Sequence, residues 1–72
     1  MVEERKTVAS YPAYEKIRTQ RGVTDYAVAQ ATGVATATIS NWKSGVYAPK
    51  IDKLMAIAQY LDVPLEALLA SE

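Results

Sequence analysis

The chain has 72 residues with eight basic and eight acidic side chains, no histidine, no cysteine, and half of its residues apolar, twelve of them alanines. Without imidazole or thiol there is no His-based general base, thiolate nucleophile, Ser/His/Asp triad or ordinary zinc site, so an enzyme, a metal centre, a cofactor and a disulfide scaffold are not expected. The longest apolar stretch, Leu54 to Ala58, is far below the roughly 18–20 residues of a membrane span, and Met1-Val2-Glu3-Glu4-Arg5-Lys6 carries no apolar signal core, so one small domain in the cytoplasm is expected.

The zero net charge conceals an asymmetry. Residues 1–56 carry eight basic and five acidic groups, whereas residues 57–72 carry three acidic groups and no base. Such a dipole can orient a protein on a polyanion although its sum vanishes.

Residues 1–10 are polar and aperiodic and read as a flexible arm, leaving 11–72 as the domain. From Tyr11 to Arg21 the apolar positions Ala13, Tyr14 and Ile17, with Pro12 near the first helical position and Gly22 past a basic last turn, predict helix 1. Thr24 offers an N-cap for helix 2 and Asp25 a carboxylate for its positive end; Ala27, Val28 and Ala31 form the expected buried stripe, ending at Gly33. After a short link, Thr36 to Lys43 resumes a helical pattern with Ile39 and Trp42 inward, which predicts helix 3. Residues 44–49 break the periodicity, and Ile51, Leu54, Ile57, Ala58 and Leu61 then mark helix 4. Asp62-Val63-Pro64 stops it, and Leu65, Leu68 and Leu69 suggest a fifth, short helix serving the core, a dimer contact, or both. Five helices and no strand are expected, without repeats or a second domain.

Thr24 to Gly45 is the informative segment, because two helices of about eight residues meet there at a glycine turn, as in a helix-turn-helix that presents its second helix to the major groove. Ala29 is small where the helices cross, Gly33 permits the turn, and Ile39 plugs the second helix onto the first, with Trp42 beside it in the core. Here the chain resembles the lambda-repressor-like, Cro/Xre-type helix-turn-helix family, through Ala29, Gly33, Val34, Ile39, Ser40, Trp42 and Gly45. The likeness continues through Pro49, Leu54, Ile57, Ala58 and Leu61 into residues 63–69, and covers roughly residues 12–69. The run from Ala35 to Gly45 with Tyr47, Pro49 and Lys50 is similar to small prophage-type regulators of Gram-positive bacteria.

The resemblance implies an all-α, compact five-helix repressor-type domain that binds double-stranded operator DNA, its third helix reading bases while loops and helix ends hold phosphates. The chemistry of the residues is compatible. Helix 3 would expose Thr36, Ala37, Ser40 and Asn41 opposite Ile39 and Trp42. Asn41 can pair bidentately with adenine, Thr36 can donate or accept, and Ala37 can touch a thymine methyl, each at about 1–3 kcal/mol of discrimination. Lys43, Ser44, Tyr47, Lys50 and Lys53 are the phosphate candidates around the loop after helix 3. A merely solvated polar face, ordinary surface lysines and a tyrosine packed on its turn would give the same residues. Arg18 reads as an internal strut and Arg21 as a carbonyl cap.

Two positions depart from the family pattern. Many relatives carry a phosphate-binding glutamine where Asp25 stands, and an acid, paired with the arginine matching Arg18, where Lys43 stands; here that pair cannot form, and Lys43 is free to face DNA. Helix 3 has no Arg, Lys or Gln before Lys43, so one domain should bind weakly, and a homodimer on half-sites about 34–36 Å apart is expected. Control would come from concentration, a protein partner or competition for sites, no sensor domain being expected after residue 72. The function expected is therefore a transcriptional regulator, a repressor of phage or prophage type. An antitoxin-type regulator, or a helical protein-interaction module that keeps the fold without binding DNA, remains open as an alternative.

Overall fold

Side-chain caps and left-handed stops divide the chain into its elements. The computed structural model describes residues 7–71. In order they form β1 (Thr7–Ala9), α1 (Tyr11–Arg21), α2 (Asp25–Thr32), α3 (Thr36–Lys43), α4 (Ile51–Leu61), a 3-10 turn (Leu65–Leu68) and β2 (Leu69–Ser71). Ser10 and Thr24 start α1 and α2, their hydroxyl oxygens accepting the N–H groups of Ala13 at 3.2 Å and Ala27 at 3.0 Å. Gly33, at φ 79°, ends α2 by donating its N–H to the Ala29 carbonyl at 2.9 Å. A Cβ added at Gly33 would meet nothing within 4 Å, so the need for glycine there is conformational rather than steric. Asp62 closes α4 in the same left-handed region at φ 59°, with the Val63 N–H reaching back to the Ala58 carbonyl at 3.0 Å.

The buried core takes Tyr11 and Tyr14 from α1, Val28 and Ala29 from α2, Ile39 and Trp42 from α3, Leu54, Ile57, Ala58 and Leu61 from α4, together with Val34 and Leu68. Ile17, Val23, Val63 and Leu65 pack against it. Two positions of the expected stripes lie outside. Ala31 is exposed, because the inward face of α2 runs through Val28 and Ala29; Ile51 is 57% exposed, one turn before the first α4 residue that meets its neighbours, Leu54.

The expected fifth helix and the strandless architecture require correction. Residues 65–68 make a single 3-10 turn, after which the chain extends and pairs antiparallel with β1 in the register Thr7↔Ser71, Val8↔Ala70 and Ala9↔Leu69. The Ser10 N–H adds a bond to the Leu68 carbonyl at 2.8 Å. Residues 7–9, placed in the aperiodic arm by sequence, therefore clasp the two ends of the domain together. Extended pairing satisfies backbone groups that a further helical turn would otherwise hold. Residues 1–6 of the expected arm lie outside the described residues.

A polar and aromatic cluster fixes α1 against both helices that follow. The Asp25 carboxylate, at the start of α2, accepts the Tyr11 hydroxyl on Oδ2 at 3.0 Å and the Tyr14 hydroxyl on Oδ1 at 2.7 Å. Arg18 Nε lies 3.0 Å from the same Oδ1. The Nε–H has no acceptor in line, so this contact is ionic rather than a directed hydrogen bond. The guanidinium also donates through Nη1 to the Val23 carbonyl at 3.0 Å, and approaches Glu15 at 3.7 Å. Arg18 is thus an internal strut between α1 and the α1–α2 link. On the other side of the tyrosines, Trp42 of α3 stacks on Tyr14 with ring centroids 4.9 Å apart and meets Tyr11 edge-on at 5.5 Å.

Burial, and after it the hydrogen bond to Asp25, pushes the Tyr11 and Tyr14 phenols above their ordinary value of 10.0. The folded state therefore keeps two protons that the unfolded chain releases near pH 10. Their contribution to stability is complete below about pH 10 and is lost as pH rises beyond it. Unfolding free energy is expected to fall with pH in that range by urea titration; a flat profile to pH 11 would contradict it. Asp25→Ala removes the acceptor of two phenols and the partner of Arg18, and is expected to cost about 2–3 kcal/mol in the same measurement. A loss below about 0.5 kcal/mol would mean that Asp25 serves only the helix dipole.

Candidate functional site

The elbow between α2 and α3 sets the direction of one polar face. Ala29 and Val34 are buried on either side of Gly33, and Ile39 and Trp42 hold the inner side of α3 in the core. With positions 39 and 42 turned inward, Thr36, Ala37 and Ser40 come out exposed and Asn41 half-buried, on the side spaced by one and four residues. The four positions singled out as base readers therefore share one surface of α3.

The loop after α3 folds back over the end of that helix. Gly45, at φ 82°, lets the Val46 N–H bond the Asn41 carbonyl at 2.9 Å while its own N–H bonds the Trp42 carbonyl at 3.1 Å. The return brings the Tyr47 hydroxyl to 3.0 Å from Asn41 Nδ2, which donates to it. Lys43, Ser44, Tyr47, Lys50 and Lys53 are all exposed. Tyr47, Lys50 and Lys53 line one shallow cleft of about 260 Å³ with Thr38, Pro49 and the carboxylate-bearing Asp52. The phosphate candidates thus lie alongside the α3 face, from the last residue of α3 through the loop after it to the first turn of α4.

The helix starts differ in a way that matters here. Ser10 and Thr24 cap α1 and α2, whereas Ala35 and Lys50, before α3 and α4, make no side-chain cap. Among the described residues, the first N–H groups of α4 therefore meet no side-chain cap, next to two lysines. Arg21 lies elsewhere, reaching the Asp62 carbonyl at 3.4 Å, so it meets the end of α4 rather than its own helix. Arg18 is engaged by Asp25, which answers the departure at Lys43: the arginine that cannot pair with position 43 pairs with the start of α2 instead.

Sequence reasoning did not connect Asn41 with Tyr47. The available signal was a glycine placed four residues after an amide and two before a phenol, a spacing that a left-handed helix stop folds into contact. Among the described residues, no cluster of three potential metal ligands occurs, and no helix is long and apolar enough to cross a membrane.

The helix-turn-helix family HTH_3 matches residues 15–68. No curated protein matches the sequence. Among solved structures, the transcriptional regulator VanUg is similar with a TM-score of 0.76 and 18% identity, over 100% of this chain and 95% of that one. An HTH_3 family transcriptional regulator from Vibrio cholerae is 31% identical with a TM-score of 0.71, over 81% of this chain and 33% of that one. A transcriptional regulator from Listeria innocua is 21% identical with a TM-score of 0.70, over 93% of this chain and 60% of that one. The chain thus spans a third of the length of the Vibrio protein and three fifths of the Listeria protein, and the likenesses to VanUg and the Listeria protein concern the fold. With three quarters of its length inside the family match and the α2–Gly33–α3 elbow in place, the chain belongs to the HTH_3, Cro/Xre-like helix-turn-helix family.

Proposed function

We infer that the chain is a sequence-specific double-stranded DNA-binding transcriptional regulator, acting as a repressor of phage or prophage type. The observation that carries this reading is the face that the exposed Thr36, Ala37 and Ser40 share with the half-buried Asn41 on α3, bordered by Lys43, Ser44, Lys50 and Lys53. A helix of this width enters the major groove with its short polar side chains at the base edges, while the bordering lysines and the uncapped N-terminus of α4 meet the phosphates. The names of the similar proteins, all transcriptional regulators, point the same way.

Affinity sets the assembly. Only Lys43 adds positive charge on α3, so one domain gains little from counterion release, and two copies on a divided operator would supply the rest. Half-sites would then lie about 34–36 Å apart, one helical turn, on the same side of the duplex.

Selection of binding sites from a random duplex pool tests this reading. An enriched motif with two related halves is the expected result; a pool that stays random at low salt contradicts it. On the enriched site, Asn41→Ala is expected to lower discrimination at one base pair by about 1–3 kcal/mol with little change in salt dependence. An equal loss on every duplex would remove Asn41 from base reading. Lys50→Ala is expected to weaken binding to all sequences and to reduce the log–log salt slope by about one. A loss confined to one base pair would move Lys50 from the phosphate group to the reading group.

A further inference from the structure

Asn41 leaves α3 with its side-chain amide held from outside the helix. Its Nδ2 donates to the Tyr47 hydroxyl oxygen at 3.0 Å, and its main-chain carbonyl accepts the Val46 N–H at 2.9 Å, so adjoining residues of one loop grip it twice. The grip depends on Gly45, whose left-handed φ of 82° turns the chain back over the last turn of α3. An asparagine amide carries two N–H donors and one carbonyl acceptor. Giving Tyr47 the N–H that points away from Oδ1 would leave the other N–H and Oδ1 side by side at the free edge of the amide. That pair is the complement of adenine, whose N7 accepts and whose N6 amino group donates in the major groove.

An unrestrained amide on a helix surface samples several χ2 orientations, only some of which present this edge. We propose that Tyr47 is a positioning residue for base recognition, its hydroxyl holding the Asn41 amide in the plane from which it pairs with an adenine edge, rather than a phosphate ligand. The inference rests on the DNA-binding reading above. Its carrier is the direct bond: the Tyr47 hydroxyl oxygen accepts from the Asn41 amide, while Lys50 and Lys53 in the same cleft supply the charge for a phosphate.

Tyr47→Phe keeps the ring and removes the oxygen, and because the bond is exposed its thermal midpoint should match that of the unaltered chain. In the free protein, the resonances of the Asn41 side-chain amide are expected to move in this variant; unmoved resonances would contradict the grip. On duplexes enriched by the unaltered chain, Tyr47→Phe should reduce discrimination about three- to tenfold at the one base pair that Asn41→Ala identifies, leaving other positions and the salt slope unchanged. In the Asn41→Ala background, Tyr47→Phe should have no further effect. A uniform loss on all sequences, equal in both backgrounds, would overturn the proposal and return Tyr47 to the phosphate group. An unaltered chain that enriches no site overturns the DNA-binding reading and this inference with it, whereas a Tyr47→Phe chain that reads an enriched site as sharply as before overturns the role of Tyr47 alone.

Discussion

Everything the α3 face can do depends on one clamp: Tyr11 and Tyr14 of α1, tied through their hydroxyls to Asp25 of α2 and through their rings to Trp42 of α3. Two helices joined by a three-residue link have many possible crossing angles, and Gly33 alone only makes a sharp one permissible. The clamp selects among them. One α1 surface holds the beginning of α2 by a charged acceptor and the end of α3 by aromatic packing, so both halves of the elbow are referred to the same rigid body. Each aromatic pair contributes about 0.5–1.5 kcal/mol beyond the area it buries, and directional hydrogen bonds to a carboxylate add about 1.5–3 kcal/mol, enough to dominate a domain of this size.

The same clamp accounts for the two departures from the family pattern. A carboxylate at the start of α2 would repel a phosphate if it pointed outward; here it is turned toward α1 and spent on two phenols and a guanidinium. Lys43, in turn, makes no ion pair among the described residues, and sits exposed at the edge of the polar face. Charge has moved inward at one position and outward at the other. A chain with zero net charge can in this way still present a locally basic border to a polyanion.

Much of this was readable from the order of residues. Gly33, Ile39 and Trp42 announce the elbow because periodicity and a glycine stop are local signals, and Thr24 and Asp25 announce the start of α2 for the same reason. Periodicity gives a face without saying how far its neighbours extend, which is why Ala31 and Ile51 were expected inside and stand outside. The clasp of β1 with β2 was invisible, since three-residue strands carry no alternation and their partners lie about sixty residues apart. The sequence offers Asp25 as a helix-dipole residue, and its bonds to Tyr11 and Tyr14 depend on a tertiary approach no local pattern encodes. The polar face of α3 was legible as a surface; the hold of Tyr47 on Asn41 was not, because it requires the left-handed turn at Gly45 to be built first.

The most direct measurement of the central claim is a backbone and side-chain NMR titration of the full chain with its selected duplex. The largest shift changes are expected on residues 36–41 and on Lys43, Ser44, Lys50 and Lys53, with the β1–β2 clasp and the 3-10 turn unmoved. Changes concentrated instead on the far side of α4, around Met55, Gln59 and Val63, with α3 silent, would contradict it.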